Sequence, residues 1–237
     1  MSGFGSHLAR RDALALLLGG AAVAAWPGRA LAAGLGATLL DLLGNASDRS
    51  LDRLAQPGAF YSDPAIRIGL PLVGHLGGGK GIAGALGRVL DAGAKLGVTD
   101  NLVRRINDAA GIAAGEAKPV FRAAISRLTL ADVPGIATQS DGATQYLRRS
   151  AGTELKGKLR PLVDKGLAQV GAYGQLASLA KRTPLIARAG ITPERLGDSV
   201  TTQAMGGIFS YMGSEEGKLR ADPLKPAGAL LKSLLGG

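Results

Sequence analysis

The chain contains no cysteine among its 237 residues. Disulfides, thiolate nucleophiles and cysteine-based metal sites are therefore excluded, as is a lipid attached through an N-terminal cysteine. A domain of about 200 residues can be stable without such cross-links. The missing cysteine therefore does not argue against an oxidising compartment.

Aromatic residues are also scarce, at 4% of the chain. The apolar residues, 46% of the total, are mostly alanine, leucine, valine and isoleucine, and they are numerous enough to form a core. Alanine and leucine favour helices, whereas sheets favour aromatic and β-branched residues. The composition therefore predicts a helical protein, although 37 glycines predict short or loosely packed helices in places.

Long apolar runs are absent too, and the clearest one lies near the N-terminus, from Ala13 to Trp26. It is too short to span a hydrocarbon core, which needs about 20 apolar residues. Arg10 and Arg11 precede this run, and an A-x-A-like cleavage site, Ala30 to Ala32, follows it. This layout is typical of an export signal over residues 1–32.

The paired arginines favour the twin-arginine export route, with the general secretory route and an uncleaved membrane anchor as alternatives. Cleavage is expected after Ala32 or Ala33. No later segment is long and apolar enough to span a membrane without charges, so we expect a soluble periplasmic protein after cleavage. Residues 33–237 are expected to form a single helical domain.

The mature chain is predicted to be all-α, a compact multi-helix bundle with one extended segment near residues 60–72. In that segment Ile66, Ile68 and Leu70 alternate with other residues, and two prolines punctuate it. The predicted helices begin with two short ones, separated at Gly44 and Asn45. The others are expected at 82–96, after Thr99, around Pro119 in a first turn, at 141–149, at 153–170 with Pro161 kinking or dividing it, between Thr192 and Pro223, and at 230–235.

The helix after Thr192 has the strongest pattern, because apolar residues recur every four positions from Leu196 to Met212. Thr192 is expected to cap it, and Pro193 to occupy its first turn. Pro223 is expected to close it.

Few motifs indicate chemistry. Residues 74–81 read GHLGGGKG, which lacks the hydroxyl that a phosphate-binding loop needs at Gly81, and a flexible turn explains them better. His75 is the only histidine after the signal, too few for a histidine-based zinc site, and no G-x-S-x-G motif occurs. We therefore predict no metal and no cofactor.

The densest polar cluster is predicted to begin a helix, where Asp141, Thr144, Gln145 and Arg148 would share one face at spacings of three and four. Its candidate ligand-binding residues are Asp141, Thr144, Gln145, Tyr146 and Arg148. The alternative is structural, with Asp141 as a helix cap and an i, i+4 hydrogen-bonded pair. Glu215 and Glu216 are adjacent, and we expect them on a solvated face, paired with Lys218 or Arg220.

The net charge is +10, and residues 1–32 hold three arginines and one aspartate, so the remainder carries +8. Such a surplus favours an envelope component or an anionic membrane surface as partner, although a solvated basic surface is the simpler interpretation. Nucleic acid is disfavoured, because the basic residues are scattered and aromatics for base stacking are few.

Several segments in order resemble the bacterial domain of unknown function 4197 family. They cover most of residues 36–236: IRIGLP at 66–71, EAKPVF at 116–121, LTLAD at 128–132, DGATQY at 141–146, VTTQA at 200–204, GIF at 207–209, EE at 215–216, LR at 219–220 and DP at 222–223. The resemblance implies an exported helical bacterial protein, sometimes lipid-anchored, with no established activity. The lack of cysteine departs from the anchored members, and the glycine-rich stretch at 74–87 is unusual for the family.

The sequence thus predicts an exported, non-catalytic binding or envelope-associated protein. The alternative is an enzyme of unrecognised type, using Asp141, Tyr146 and Arg148 with Glu215 or Glu216 brought near by folding. Catalytic residues are not assigned.

Overall fold

Helices provide the regular structure of the computed structural model, which describes residues 27–71, 99–129, 136, 138–182 and 191–222, with side chains from residue 36 onward. Seven helices lie within these ranges: α1 Pro27–Leu54, α2 Ala59–Ser62, α3 Asp100–Glu116, α4 Lys118–Ile125, α5 Gly142–Gln169, α6 Ala172–Arg182 and α7 Pro193–Ala221. α5 packs against α3 and α7, and α7 packs against α1. The predicted compact all-α bundle is confirmed.

The first helix is one continuous element, so the predicted break at Gly44 and Asn45 is wrong. A mid-helix glycine costs only about 1 kcal/mol, and burying the leucine side chains of this helix outweighs it. A Cβ at Gly44 would meet the Arg122 guanidinium of α4, which is the end of a flexible side chain. Arg122 bonds Asp48 at 2.6 Å and so joins α4 to α1.

The extended segment predicted near residues 60–72 is correct only in part, because the short helix α2, which the sequence did not predict, occupies its start and a turn follows at residues 64–66. Its three alternating apolar side chains, Ile66, Ile68 and Leu70, are buried. The Asn107 amide of α3 accepts from the Ile68 N–H at 2.9 Å and donates to its carbonyl at 2.9 Å. The Gln203 amide of α7 bonds Gly69 in the same way, at 3.0 and 3.1 Å. These bonds satisfy backbone groups that have no helical partner.

The expected starts of α3 and α4 are correct, with one difference in capping. α3 begins directly after Thr99, but the Thr99 side chain makes no capping hydrogen bond. Pro119 lies in the first turn of α4, as predicted. The buried face of α4 is Phe121, Ala124 and Ile125.

The helix α5 replaces two predicted helices, so the break after Arg149 is wrong. Pro161 lies inside this helix and is exposed, where its ring meets water rather than a neighbouring helix. Gly166 is buried where α5 crosses α3, and a Cβ there would lie 2.7 Å from the Ala109 carbonyl oxygen. The close crossing therefore requires glycine at this position.

The last two helices follow from local signals, although only one was predicted. Gly171 has a φ of 69°, a left-handed conformation that favours glycine, and it turns the chain from α5 into α6. In α7 the Thr192 hydroxyl accepts from the Arg195 N–H at 3.3 Å, which confirms the cap. The residues that recur every four positions from Leu196 to Met212 are buried.

Several predictions lie outside the described residues: the glycine-rich loop at 74–81 with His75, the helix at 82–96, the closing Pro223 and the helix at 230–235. In the described ranges, none of the helices combines the length and the apolarity that crossing a membrane requires.

Candidate functional site

The candidate ligand-binding residues lie at the start of α5, which packs closely against other parts of the chain. Gly142, the first residue of α5, is buried against the backbone of Ile136, where a Cβ would overlap the Ile136 carbonyl. The first N–H groups of any helix lack intrahelical partners and need others. In α5, two of these N–H groups bond to a single residue of α7.

Glu216 of α7 accepts both bonds. Its side chain is fully buried, and its Oε1 accepts from the Ala143 N–H at 3.0 Å. Its Oε2 accepts from the Thr144 N–H at 2.7 Å. A carboxylate is favoured at a helix N-terminus because the helix dipole is positive there. Glu216 therefore caps α5, although it lies more than 70 positions away in the chain.

Arg220 neutralises this buried carboxylate. Its Nε and Nη2 donate to Glu216 Oε1 at 2.8 and 2.5 Å, and the two side chains are only 8% and 0% exposed. Arg220 Nη2 also donates to the Ile136 carbonyl at 3.2 Å. We call the group of Glu216, Arg220, Ala143, Thr144 and Ile136 the α5–α7 clasp.

The sequence prediction for the two glutamates was half right. Glu215 pairs with Lys218 at 2.7 Å as expected, although only 14% of its own side chain is exposed. Glu216 does pair with Arg220, but it is buried and not on a solvated face. The missed signal is the four-residue recurrence in α7, which after Met212 continues to Glu216 and Arg220. Both residues therefore lie on the helix's buried face.

Asp141, Tyr146 and Arg148 each contact another group of the bundle. Asp141 accepts from Gln145 Nε2 at 2.7 Å, so the i, i+4 pair is present, but Asp141 makes no side-chain capping bond to α5. The Tyr146 hydroxyl donates to the Thr129 carbonyl at 2.7 Å. The Arg148 guanidinium lies 5.7 Å from the centre of the Phe209 ring.

Thr144 differs from the others, because its Oγ1 is buried and has no hydrogen-bond partner in the described part of the chain. Folding thus brings Ala143, Thr144 and Glu216 together. Tyr146 instead bonds the carbonyl of Thr129, before α5.

A second polar cluster, which the sequence did not single out, joins α2 to α3. The Tyr61 hydroxyl donates to Asp100 Oδ1 at 2.5 Å, and Arg104 Nε donates to Asp100 Oδ2 at 2.8 Å. Both bonds lower the pKa of Asp100, and the bond from Tyr61 has the larger effect. The same bond to Asp100 raises the pKa of Tyr61. The guanidinium of Arg67 also lies over the Tyr61 ring.

Two more tyrosine–aspartate pairs join other elements. The Tyr211 hydroxyl donates to Asp63 at 2.7 Å, which lowers the pKa of Asp63 and raises that of Tyr211. The Tyr173 hydroxyl donates to Asp164 at 2.8 Å. Burial, and then this bond, raise the pKa of Tyr173. In the ranges with assigned structure, no three acidic or histidine side chains form a group suited to a metal ion.

The fold and the clasp define an all-helical bundle whose most buried charges connect its helices. The chain belongs to the family described as protein of unknown function (DUF4197), whose model matches residues 32–236. No curated protein and no solved structure matches the chain.

Proposed function

We propose that this protein is exported to the periplasm and acts there as a non-catalytic binding or envelope-associated protein. The observation that carries the non-catalytic part is the α5–α7 clasp. Both oxygens of Glu216 accept hydrogen bonds from α5, and Arg220 neutralises the carboxylate. A carboxylate held in this way has no role left as a base or nucleophile, since those roles need an oxygen open to the substrate.

Two other side chains that a catalytic site at the start of α5 would use are also engaged in hydrogen bonds within the bundle. Asp141 is bonded by Gln145, and the Tyr146 hydroxyl donates to the Thr129 carbonyl. Catalysis by a dyad or triad requires a nucleophile or base within hydrogen-bond reach of its partner. The bonds of Asp141, Tyr146 and Glu216 instead connect helix ends and turns.

Export is supported by the N-terminal sequence and by the extent of the family match. Arg10 and Arg11, the apolar run and Ala30 to Ala32 have the order of an export signal. The match begins at residue 32, next to the proposed cleavage site, so it covers nearly all of the proposed mature chain. Cleavage there would shorten α1 at its N-terminal end by its first six or seven residues, which leaves the buried residues from Leu39 onward in place.

The export proposal is tested by fractionating bacterial cells that express the full chain. Wild-type protein is expected in the periplasmic fraction, shortened by about 32 residues as an N-terminal signal requires. Replacing Arg10 and Arg11 together by lysine should retain the full-length chain in the cytoplasm if the twin-arginine route is used.

Arg29→Lys, which makes the same chemical change outside the arginine pair, is the matched control and should be exported normally. Export of the double variant at the wild-type rate would indicate the general route. A wild-type chain that stays full-length in the cytoplasm would contradict the proposal.

A further inference from the structure

The surface beside α2 holds two arginines on one aromatic ring. The Cζ atoms of Arg67 and Arg104 lie 4.6 and 4.2 Å from the centre of the Tyr61 ring. Such contacts are attractive because the ring face is electron-rich. We call Tyr61, Arg67 and Arg104 the tyrosine–arginine patch.

Each guanidinium in the patch is held by one edge only. Arg67 Nε donates to the Tyr61 carbonyl, and Arg104 Nε donates to Asp100 Oδ2. The terminal Nη groups of both arginines form no hydrogen bond within the described ranges, and both residues are exposed. The patch therefore presents two oriented guanidinium edges to solvent.

Within the patch, Arg67 is the arginine whose charge is available to an anion. Asp100 is the carboxylate bonded in the patch, and its two oxygens accept from Tyr61 and Arg104. Arg67 has no ion-pair partner in the part of the chain with described side chains, so its charge is not neutralised locally. Asp108 also acts on the charge of Arg104, so the positive charge that has no partner in the patch is that of Arg67.

The geometry of the donors selects among anions. A guanidinium presents parallel N–H groups that match two oxygens of a carboxylate or phosphate, and phosphate offers a third oxygen to a second guanidinium. Stacking on Tyr61 fixes both side chains beforehand, which reduces the entropy lost on binding.

From this arrangement we propose that the tyrosine–arginine patch binds a phosphate group, carried either by a small molecule or by a lipid headgroup. The proposal rests on the binding role proposed above and gives that role a site and a ligand chemistry. Arg67 and Arg104 bind the phosphate oxygens, and Tyr61 orients the two guanidiniums.

The test is a titration of the purified protein with inorganic phosphate at constant ionic strength, followed by NMR of the arginine Nε–H groups. Saturable shifts are expected for Arg67 and Arg104. Arg67→Ala should weaken the affinity about tenfold or more, because it removes charge-assisted hydrogen bonds. Arg67→Lys, which keeps the charge but loses the planar fork, should also weaken it.

Arg149→Ala is the matched control, since Arg149 is an exposed arginine on α5, outside the patch. It should bind phosphate like wild type, and the thermal unfolding midpoints of all variants show whether each one folds. Absence of saturable shifts at Arg67 and Arg104, or an equal loss of affinity in Arg149→Ala, would overturn the proposal.

A second experiment, binding to vesicles, distinguishes a lipid headgroup from a small molecule as the source of the phosphate. Phosphatidylcholine vesicles with phosphatidic acid present phosphate monoesters on a surface, and vesicles of phosphatidylcholine alone do not. Arg67-dependent binding to the first vesicles alone indicates a lipid headgroup, whereas phosphate binding without vesicle binding indicates a small molecule. Failure of the phosphate titration would overturn the proposal but leave export untouched, because the fractionation does not depend on Arg67.

Discussion

At the scale of single residues, the molecule is organised by a few long-range polar contacts. Glu216 and Arg220 are charged, yet they lie on the face of α7 that continues the apolar recurrence from Leu196 to Met212. Burying charges is costly unless they are paired and hydrogen-bonded. The N–H groups of Ala143 and Thr144 provide those hydrogen bonds and are themselves satisfied.

Glu216→Gln should therefore lower the free energy of unfolding strongly. The neutral amide leaves Arg220 buried without its partner, and breaking a buried pair costs about 3 to 5 kcal/mol. Glu215→Gln is the neighbouring control, and it should cost less than about 1 kcal/mol because its partner Lys218 is 59% exposed and can be solvated when the pair is lost. Urea denaturation of both variants measures the difference, and equal losses would contradict the role of the clasp.

Sequence patterns identified some of these residues and missed the contacts between them. The cluster at 141–148 was selected correctly as the start of a helix, since its polar residues and spacing are local. The burial of Glu216 could have been inferred from the four-residue recurrence in α7, but its bonds to Ala143 and Thr144 depend on α5 approaching α7, which no local pattern encodes. The patch at Tyr61 was missed for the same reason, since Arg67 and Arg104 meet only after folding.

At the scale of elements, glycine and proline proved weaker signals for breaks than expected. Gly44 and Gly152 lie inside α1 and α5, and Pro161 lies inside α5. Tertiary packing decides these cases, because each long helix buries an apolar face along most of its length. The helix α7, whose cap and apolar recurrence agree, was predicted well.

Two glycines of α5 test this explanation by opposite effects. Gly166→Ala should destabilise by about 1 to 3 kcal/mol, because the new Cβ would lie 2.7 Å from the Ala109 carbonyl oxygen. Gly157→Ala meets nothing within 4 Å and should stabilise by about 0.5 to 1 kcal/mol through helix propensity. Thermal or urea unfolding gives both values, and a stabilising Gly166→Ala would show that α5 does not cross α3 so closely.

Pro161→Ala provides a further test within the same helix. Pro161 is exposed and lies inside α5, so alanine restores an N–H donor and removes the steric conflict with the preceding turn. The gain in helix propensity exceeds the rigidity that proline gives the unfolded chain. The free energy of unfolding should therefore rise by about 2 kcal/mol. A loss on urea unfolding would mean that α5 needs a kink at this position.

At the scale of the whole molecule, charged pairs on the surface connect α1 to α4, α3 to α5 and α5 to α7. Asp63, Asp100, Glu154 and Glu194 all have a lowered pKa, and each accepts hydrogen bonds from a neighbouring side chain. Tyr61 and Tyr211 have a raised pKa because they donate to carboxylates. Both sets of shifts stabilise the folded state at neutral pH.

The stability should therefore form a plateau and fall at both extremes of pH. The lowered carboxyl pKa values contribute stability above their unfolded values near 4, which is lost as the pH falls through the folded values. The raised tyrosine values contribute stability below the unfolded value of 10.0, which is lost as the pH rises through the folded values.

Urea unfolding across this pH range measures the profile. Between neutral and acid pH, the free energy of unfolding of Asp100→Asn should fall less than that of the wild type. A stability that stayed constant below about pH 4 would contradict the assignment.

The central claim for the whole molecule is that the mature chain is exported and acts by binding. Native mass spectrometry of the protein recovered from the periplasmic fraction tests it most directly. The account predicts a chain that begins near Ala33, together with a non-covalent ligand that leaves on denaturation. A chain that retains residues 1–32 would contradict export, and a processed chain with no bound species at any protein concentration would contradict a tightly bound ligand.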